Sequence, residues 1–343
     1  MAESLALELL RNGDWQGDAP LVSSFLSSPW FPLLAEALGS LKREELYMSH
    51  VHGVGHIERT MVHGAMCAWA EKLSEADTRL LLSMCAYHDT GRISDYLDGA
   101  HGLRSAEKLG SLTGLAGEDL REAMAGIEAH SVADARMEGI LAAHAPEDLP
   151  RARMLAQMLK DSDGLDRVRI DDLNVNYLRR APSRERGSFA QKLFDRYVAL
   201  ERERGLNGEA EGFDLPTIRQ VKAFVMASRA AGKGCVETAL RCWDELLKEN
   251  LADPLLNGAR ETELCGVLTA AQDYFSALFS RQGRGEGEIR ELCRAFAGRF
   301  RTQYGSDKCA ELKTKSGCGG FTVDSVLFAF QYLYKENEHK RSW

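Results

Sequence analysis

Apolar residues recur at three- and four-residue spacing through most of this chain, while alternating β-branched runs are few, so the pattern predicts an all-α protein. Helices are expected at about 54–73, 76–89, 103–113, 118–130 and 150–168, and again at about 188–204, 214–230, 235–250, 262–280, 287–303 and 322–337. Gly91 and Gly114 stand where helices of the first group should stop, since glycine takes the left-handed conformation that closes a helix. The N-terminal stretch reads as helices that cover the bundle, with Trp30-Phe-Pro-Leu-Leu34 as a buried anchor.

Between the two groups, Arg179-Arg-Ala-Pro-Ser-Arg-Glu-Arg-Gly187 is polar, carries a proline and breaks the periodicity, which marks a linker. At 343 residues the chain is long enough for two cores. The expected organisation is an N-terminal helical extension (1–47), a helical domain (48–180) and a second, smaller helical domain (188–343).

A net charge of -8 argues against a nucleic-acid polymer as partner, although a few arginines focused in a pocket can still hold a small phosphate compound. No uncharged apolar run reaches the length of a bilayer span, so no membrane is expected. The opening Met1-Ala-Glu-Ser-Leu-Ala-Leu-Glu8 has acids where a signal peptide has basic residues, which makes the cytoplasm the expected compartment. There the eight cysteines should be reduced thiols rather than a disulfide framework.

Eight of the nine histidines lie between His50 and His144, whereas six of the eight cysteines follow residue 230. The two halves therefore carry different chemistry. In His52-Gly-Val-Gly-His56-Ile-Glu-Arg59, His56 opens an apolar helix with Arg59 one turn along. His88-Asp89, in Cys85-Ala-Tyr-His-Asp-Thr-Gly-Arg92, puts an imidazole and a carboxylate in one small volume, at directions about 100° apart if both are helical. Such a carboxylate can bridge two ions. His101, His130 and the acidic run Asp161-Ser-Asp-Gly-Leu-Asp166 follow, while His63 and His144 sit in no comparable setting and read as packing residues.

In this ordered set, residues 48–180 resemble the HD-domain superfamily of metal-dependent phosphohydrolases, whose signature is His, His-Asp, Asp on an all-helical bundle. His56, His88-Asp89 and Asp163 match it, the last because Ser162-Asp163-Gly-Leu-Asp166 is similar to the family's Ala-Asp-x-Leu-Asp run; Asp161 is the reserve. The added His101 and His130 resemble the two-metal branch, in which the Asp of the pair bridges and two further histidines hold the second ion. The resemblance implies divalent transition ions, two of them (Mn, Fe, Zn, Co or Ni), and hydrolysis of a small phosphate ester or nucleotide by water shared between them. It places His88, Asp89 and Arg92 in catalysis, and Arg59, Arg104, Lys160 and Arg167 as further cations beside the ligands that could clamp phosphate oxygens. A few proteins with this ligand order are diiron oxygenases, the runner-up reading.

Cys235, Cys265, Cys309 and Cys318 lie in glycine-flanked or polar settings, and residues 215–338 resemble a small helical family with a Cys, Gly-Cys-Ala-x-x-Gly, Cys, Cys pattern, thought to be redox-active or metal-binding. Cys265-Gly-Val departs from that pattern, and no Cys-x-x-Cys pair is present. The resemblance implies that these four thiols bind metal or form reversible disulfides, which carries a third reading: a redox or metal-sensing protein whose HD domain is not catalytic. Cys242 and Cys293 fall on apolar helix faces and read as packing. The aromatic run Phe321–Tyr334 is core or the face of a homodimer.

Overall fold

The structure, a computed structural model, describes residues 4–47, 49–93, 95, 98–206, 215–257, 263–312 and 318–338. The expected endpoints at 48, 214 and 262 lie outside them. The described chain is all-α, without a strand, and it divides at 212/213 into two compact units.

In the first unit, α1 (Leu5–Asn12), α2 (Ala19–Leu26) and α3 (Trp30–Gly39) precede the central α4 (Val54–Glu71) and α5 (Glu75–Tyr87). Then come α6 (His101–Thr113), α7 (Gly117–His130), α8 (Asp134–Ala143), α9 (Leu149–Leu165), α10 (Ala181–Arg184) and α11 (Gly187–Glu203). Every residue of α4 from His56 to Ala68 is buried, as befits a helix surrounded on all sides, by α3, α5, α9 and α11 among others. Local signals set the ends: Ser74 and Asp148 accept hydrogen bonds from Asp77 N and Arg151 N at the starts of α5 and α9, and Gly114 closes α6 at φ 72°. Of the expected anchor 30–34 only Leu34 is buried, with Leu38 one turn further along α3; Trp30, Phe31 and Leu33 are half-buried and Pro32 is exposed.

The polar stretch 179–187 is not the boundary. Its first two arginines are tied to the first unit: the backbone N–H groups of Arg179 and Arg180 donate to Asp161 (2.7–2.9 Å), and the Arg180 guanidinium pairs with Glu71. α11 then returns to the first unit, burying Phe189, Leu193 and Tyr197. Buried Glu58 ties three helices together, accepting from Ser4 Oγ (2.8 Å), Ala6 N (3.1 Å) and Tyr197 OH (3.0 Å).

The second unit comprises α12 (Leu215–Ala230), α13 (Cys235–Leu247), α14 (Ala252–Asn257), α15 (Gly266–Arg281), α16 (Glu286–Tyr304), α17 (Cys309–Leu312) and α18 (Gly319–Glu338). Its core is aromatic: Phe275, Phe296 and Tyr332 meet at 5.0–5.7 Å between ring centroids, and Tyr304 meets Phe321 at 5.0 Å. The described aromatics of the run beginning at Phe321 are therefore core, not an exposed face. Among the described residues no single helix is long and apolar enough to cross a membrane; the bent pair α2–α3 passes that test only by length and composition.

Candidate metal centre

Five helix ends of the first unit bring the candidate ligands together. His56 lies in the first turn of α4, His88 caps the C-terminus of α5 with Asp89 in the turn beyond, His101 begins α6, His130 ends α7, and Asp163 is in the last turn of α9. Two glycines permit the approach. A Cβ on Gly91 would stand 2.4 Å from Ser105 N and 2.6 Å from His101 O, so only glycine lets the Asp89 turn reach the start of α6. A Cβ on Gly102 would meet Ile127 O at 2.8 Å, so its absence lets α6 close on α7 and sets His101 beside His130.

The geometry resolves into two groups sharing one carboxylate. Around Asp89 Oδ2 lie His56 Nε2 (3.6 Å) and His88 Nε2 (3.7 Å), and Asp163 Oδ1 is 3.5 Å from His56 Nε2. Around Asp89 Oδ1 lie His101 Nε2 (3.2 Å) and His130 Nε2 (3.7 Å). Ligands bound about 2.1 Å from an ion stand roughly 3.0–3.4 Å from one another in octahedral or tetrahedral arrangements, so these spacings suit an ion in each group. His88, Asp89 and His130, like His56, His88 and Asp163, have ligand atoms within 4.8 Å of one another.

Hydrogen bonding fixes which nitrogen faces inward. The Nδ1 atoms of His88, His101 and His130 meet the carbonyl oxygens of Cys85, Asp98 and Ile127, which can only accept, so each Nδ1 carries the proton. His56 Nδ1 is held by Asp166 Oδ2 at 2.8 Å. In a neutral ring this leaves Nε2 as a bare lone pair. His56 and His88 nevertheless face each other Nε2 to Nε2 at 3.2 Å, and His101 and His130 at 3.0 Å. Facing lone pairs repel unless a cation lies between them or one ring is charged, and burial opposes the charge, lowering His56, holding His88 at about 3 and His101 at about 4. Neither oxygen of buried Asp89 has a well-aligned hydrogen-bond partner among the described residues, Arg92 Nε being an ion-pair partner at 2.9 Å from Oδ2, so the carboxylate keeps lone pairs that an ion could take up. The residues present thus fit divalent ions held by imidazole and carboxylate, with a carbonyl or carboxylate orienting each ring from behind.

Burial works against the charges of Asp89, Asp163 and Asp166, yet all three are held below the ordinary carboxylate range because arginines and histidines surround them: Arg92 and His88 at Asp89, Arg169 and His56 at Asp163, Arg59 and His56 at Asp166. Asp163 is 23% exposed, against 0–8% for the other five ligand side chains, so solvent reaches the centre on its side.

Of the cations expected from sequence, Arg92 alone stands at the centre, its Nε 2.9 Å from Asp89 Oδ2. Arg59 is spent on Asp166, donating from Nε (2.6 Å) and Nη2 (2.9 Å), with Phe194 and Tyr197 against its guanidinium. Arg104 braces the turn, donating to Gly91 O and Asp98. Lys160 donates to the carbonyls of Ala129 and Val132, a lock on the C-terminus of α7 that holds His130 in place. Arg167 is exposed and paired with Asp172. These four do not line the candidate site. The reserve ligand Asp161 points away, accepting the Arg179 and Arg180 amides.

Three residues at the centre escaped the sequence reading. Asp166 orients His56; it lay in the acidic run, three residues beyond Asp163, a spacing that keeps two helical carboxylates on one side. Arg169 lies a further turn on, its Nη2 3.7 Å from Asp163 Oδ1. His52, its ring 5.9 Å from that of His56, pairs through Nδ1 with Asp95 Oδ1 at 2.8 Å, and Ser49 Oγ donates to the same oxygen. Burial lowers His52 and pushes Asp95 up to about 6. No local spacing links Arg169 or Asp95 to the histidines, so sequence offered no signal for either.

The second unit places its cysteines differently. None of the described cysteines is joined in a disulfide. Cys235 and Cys309 begin α13 and α17, Cys265 caps α15, and Cys318 directly precedes α18. An antiparallel bridge, Leu264 to Lys308, sets Cys265 near Cys309, with Cys265 N donating to Asp307 O (2.7 Å) and Cys309 N to Glu263 O (2.9 Å). Cys235 Sγ lies 3.8 Å from Thr322 Oγ1, which donates to Cys318 O. Among the described residues, however, the clusters with ligand spacing are the two histidine–aspartate groups, and neither contains a cysteine. Cys242 is buried and Cys293 half-buried, as packing residues should be.

Residues 237–332 match the family described as "Putative redox-active protein (C_GCAxxG_C_C)". The match takes in Cys265, Cys309 and Cys318 and begins just after Cys235. No curated protein and no solved structure matches the chain significantly.

Proposed function

We propose that this protein is an HD-type, two-metal phosphohydrolase for a small phosphate ester or nucleotide. The observation that carries the reading is the division of Asp89 between two imidazole groups, Oδ2 toward His56 and His88, Oδ1 toward His101 and His130. When bound, divalent ions of the Mn, Fe, Zn, Co or Ni class supply Lewis acidity toward water and phosphoryl oxygens. The chain's own residues do the rest. Asp89 keeps the two groups at a fixed separation, Asp166 and three backbone carbonyls hold the imidazoles in the ligating tautomer, and Arg92 offers a guanidinium beside Asp89 for phosphate oxygens. Burial of the five ligands other than Asp163 limits competing water on that side.

A second reading is redox chemistry at the same centre, a diiron oxygenase; the putative redox-active match of the second unit is the observation that keeps it in view. Asp89→Ala separates these from the third reading, a cysteine-based sensor. Loss of both bound metal and phosphate release from a panel of phosphate esters and nucleotides supports the first, whereas phosphatase activity retained by Asp89→Ala removes this centre from the account. Abundant iron without phosphate release moves the assignment to the oxygenase.

A further inference from the structure

Arg169 lies in the 3-10 helix Asp166–Ile170 that follows α9 and is 2% exposed. A guanidinium so deeply buried ordinarily spends its N–H groups, because each one left unmade costs free energy. Here Nε and Nη1 have no hydrogen-bond partner among the described residues. The nearest carboxylate oxygens, Asp163 Oδ1 from Nη2 and Asp166 Oδ2 from Nη1, are each 3.7 Å away, beyond hydrogen-bond length. Nor does Asp166 need it, since it already accepts two N–H groups from Arg59 and faces His56 Nδ1. Arg169 is thus held beside the candidate centre without being consumed by it, next to Asp163, the ligand through which solvent enters.

Charge points the same way. Three guanidiniums, Arg59, Arg92 and Arg169, already face three carboxylates, Asp89, Asp163 and Asp166. Divalent ions would then add positive charge that the one further carboxyl acting on both Arg92 and Arg169, that of Asp95, offsets only in part, and in a buried site such an excess calls for an anion. Arg92 stands at the same place, its Nε ion-paired with Asp89 Oδ2 at 2.9 Å and its Nη2 3.4 Å from His101 Nε2, so a second guanidinium flanks the position an anion would take.

We propose that Arg169 is a substrate-binding residue, donating its unspent N–H groups, together with Arg92, to a multiply charged oxyanion of the phosphate type at the candidate metal centre. The inference rests on the proposed metal-dependent reading of that centre but does not require hydrolysis.

The test is binding of inorganic phosphate to the full-length, metal-containing protein by calorimetry, with metal content measured on each sample. Arg169→Met should weaken phosphate by about 10- to 100-fold with metal content unchanged. Arg169→Lys, which keeps the charge and loses the fork, should fall between it and the unaltered protein. Formate, a monoanion, should bind at least about 10-fold more weakly than phosphate. Should Arg169→Met fail to fold or lose metal, Arg169→Lys decides: weakened phosphate with metal retained supports the proposal. The proposal is overturned if the unaltered protein does not bind phosphate, if either metal-retaining variant binds it as tightly as the unaltered protein, if formate binds equally well, or if both variants lose metal, which would make Arg169 a structural counter-ion. Arg169-dependent phosphate binding without turnover of any phosphate ester would leave this inference standing and sink the phosphohydrolase.

Discussion

The two units collect reactive side chains by opposite means. In the first, ligand atoms from five helix ends point at one another, and the far side of each imidazole is tied to a carbonyl or carboxylate. In the second, four cysteines sit at or just before helix starts, Cys265 drawn near Cys309 by backbone bonds and Cys235 linked through Thr322 to Cys318, but their thiols form no ligand cluster among the described residues. Pre-orientation from behind, with mutual repulsion in front, marks the first as a site built for something absent from the chain. The second brings thiols near one another without such a ligand cluster among the described residues.

The sharpest way to break this contrast is Asp89→Ala. It should abolish metal binding in both groups and reduce turnover by more than about 100-fold, since even residues behind a ligand reach that scale. Asp166→Asn comes next: it leaves the ligands in place but loosens His56 and strands buried Arg59. It should cost about 3–5 kcal/mol of stability and lower metal affinity about 10- to 100-fold, read by denaturant unfolding and metal titration.

Buried His63 offers a smaller, pH-dependent effect. Neither ring nitrogen has a hydrogen-bond partner among the described residues, and burial holds it at about 4, against about 6.5 in an unfolded chain. The unfolded state therefore takes up a proton that the folded state refuses. Stability from the neutral ring is full above pH 6.5 and falls as pH drops toward 4, by up to roughly 3 kcal/mol. His63→Leu should remove that share of the fall; an unchanged pH profile would contradict it. Smallest of all, Cys309→Ser should change stability by less than about 0.5 kcal/mol and leave phosphate release intact, because Cys309 is exposed. Complete loss of turnover in a folded Cys309→Ser protein would reverse the ranking of the two units.

Periodicity located most of the long helices, because their apolar spacing is read by local packing alone. It missed α8, whose buried residues are only Met137 and Leu141, too few to make a stripe. It also mistook α10 and its flanks for a linker, since the charges of Arg179 and Arg180 are neutralised by Asp161 and Glu71, 18 and 109 residues away in sequence. The six candidate ligands were legible because their residue types and order are themselves the pattern. The surrounding charges were not: Arg59, Arg104 and Lys160 sit beside ligands in sequence yet turn elsewhere, while Arg169 and Asp95 arrive through the fold. A charge's partner is decided by three-dimensional approach, which spacing along the chain does not encode.

The measurement closest to the central claim is elemental analysis of protein purified anaerobically without added metal, alongside His130→Ala. The account predicts two transition ions per chain, falling to at most one when His130 is removed. Protein without a transition ion, or with a metal content that His130→Ala leaves unchanged, would contradict a binuclear centre bridged by Asp89.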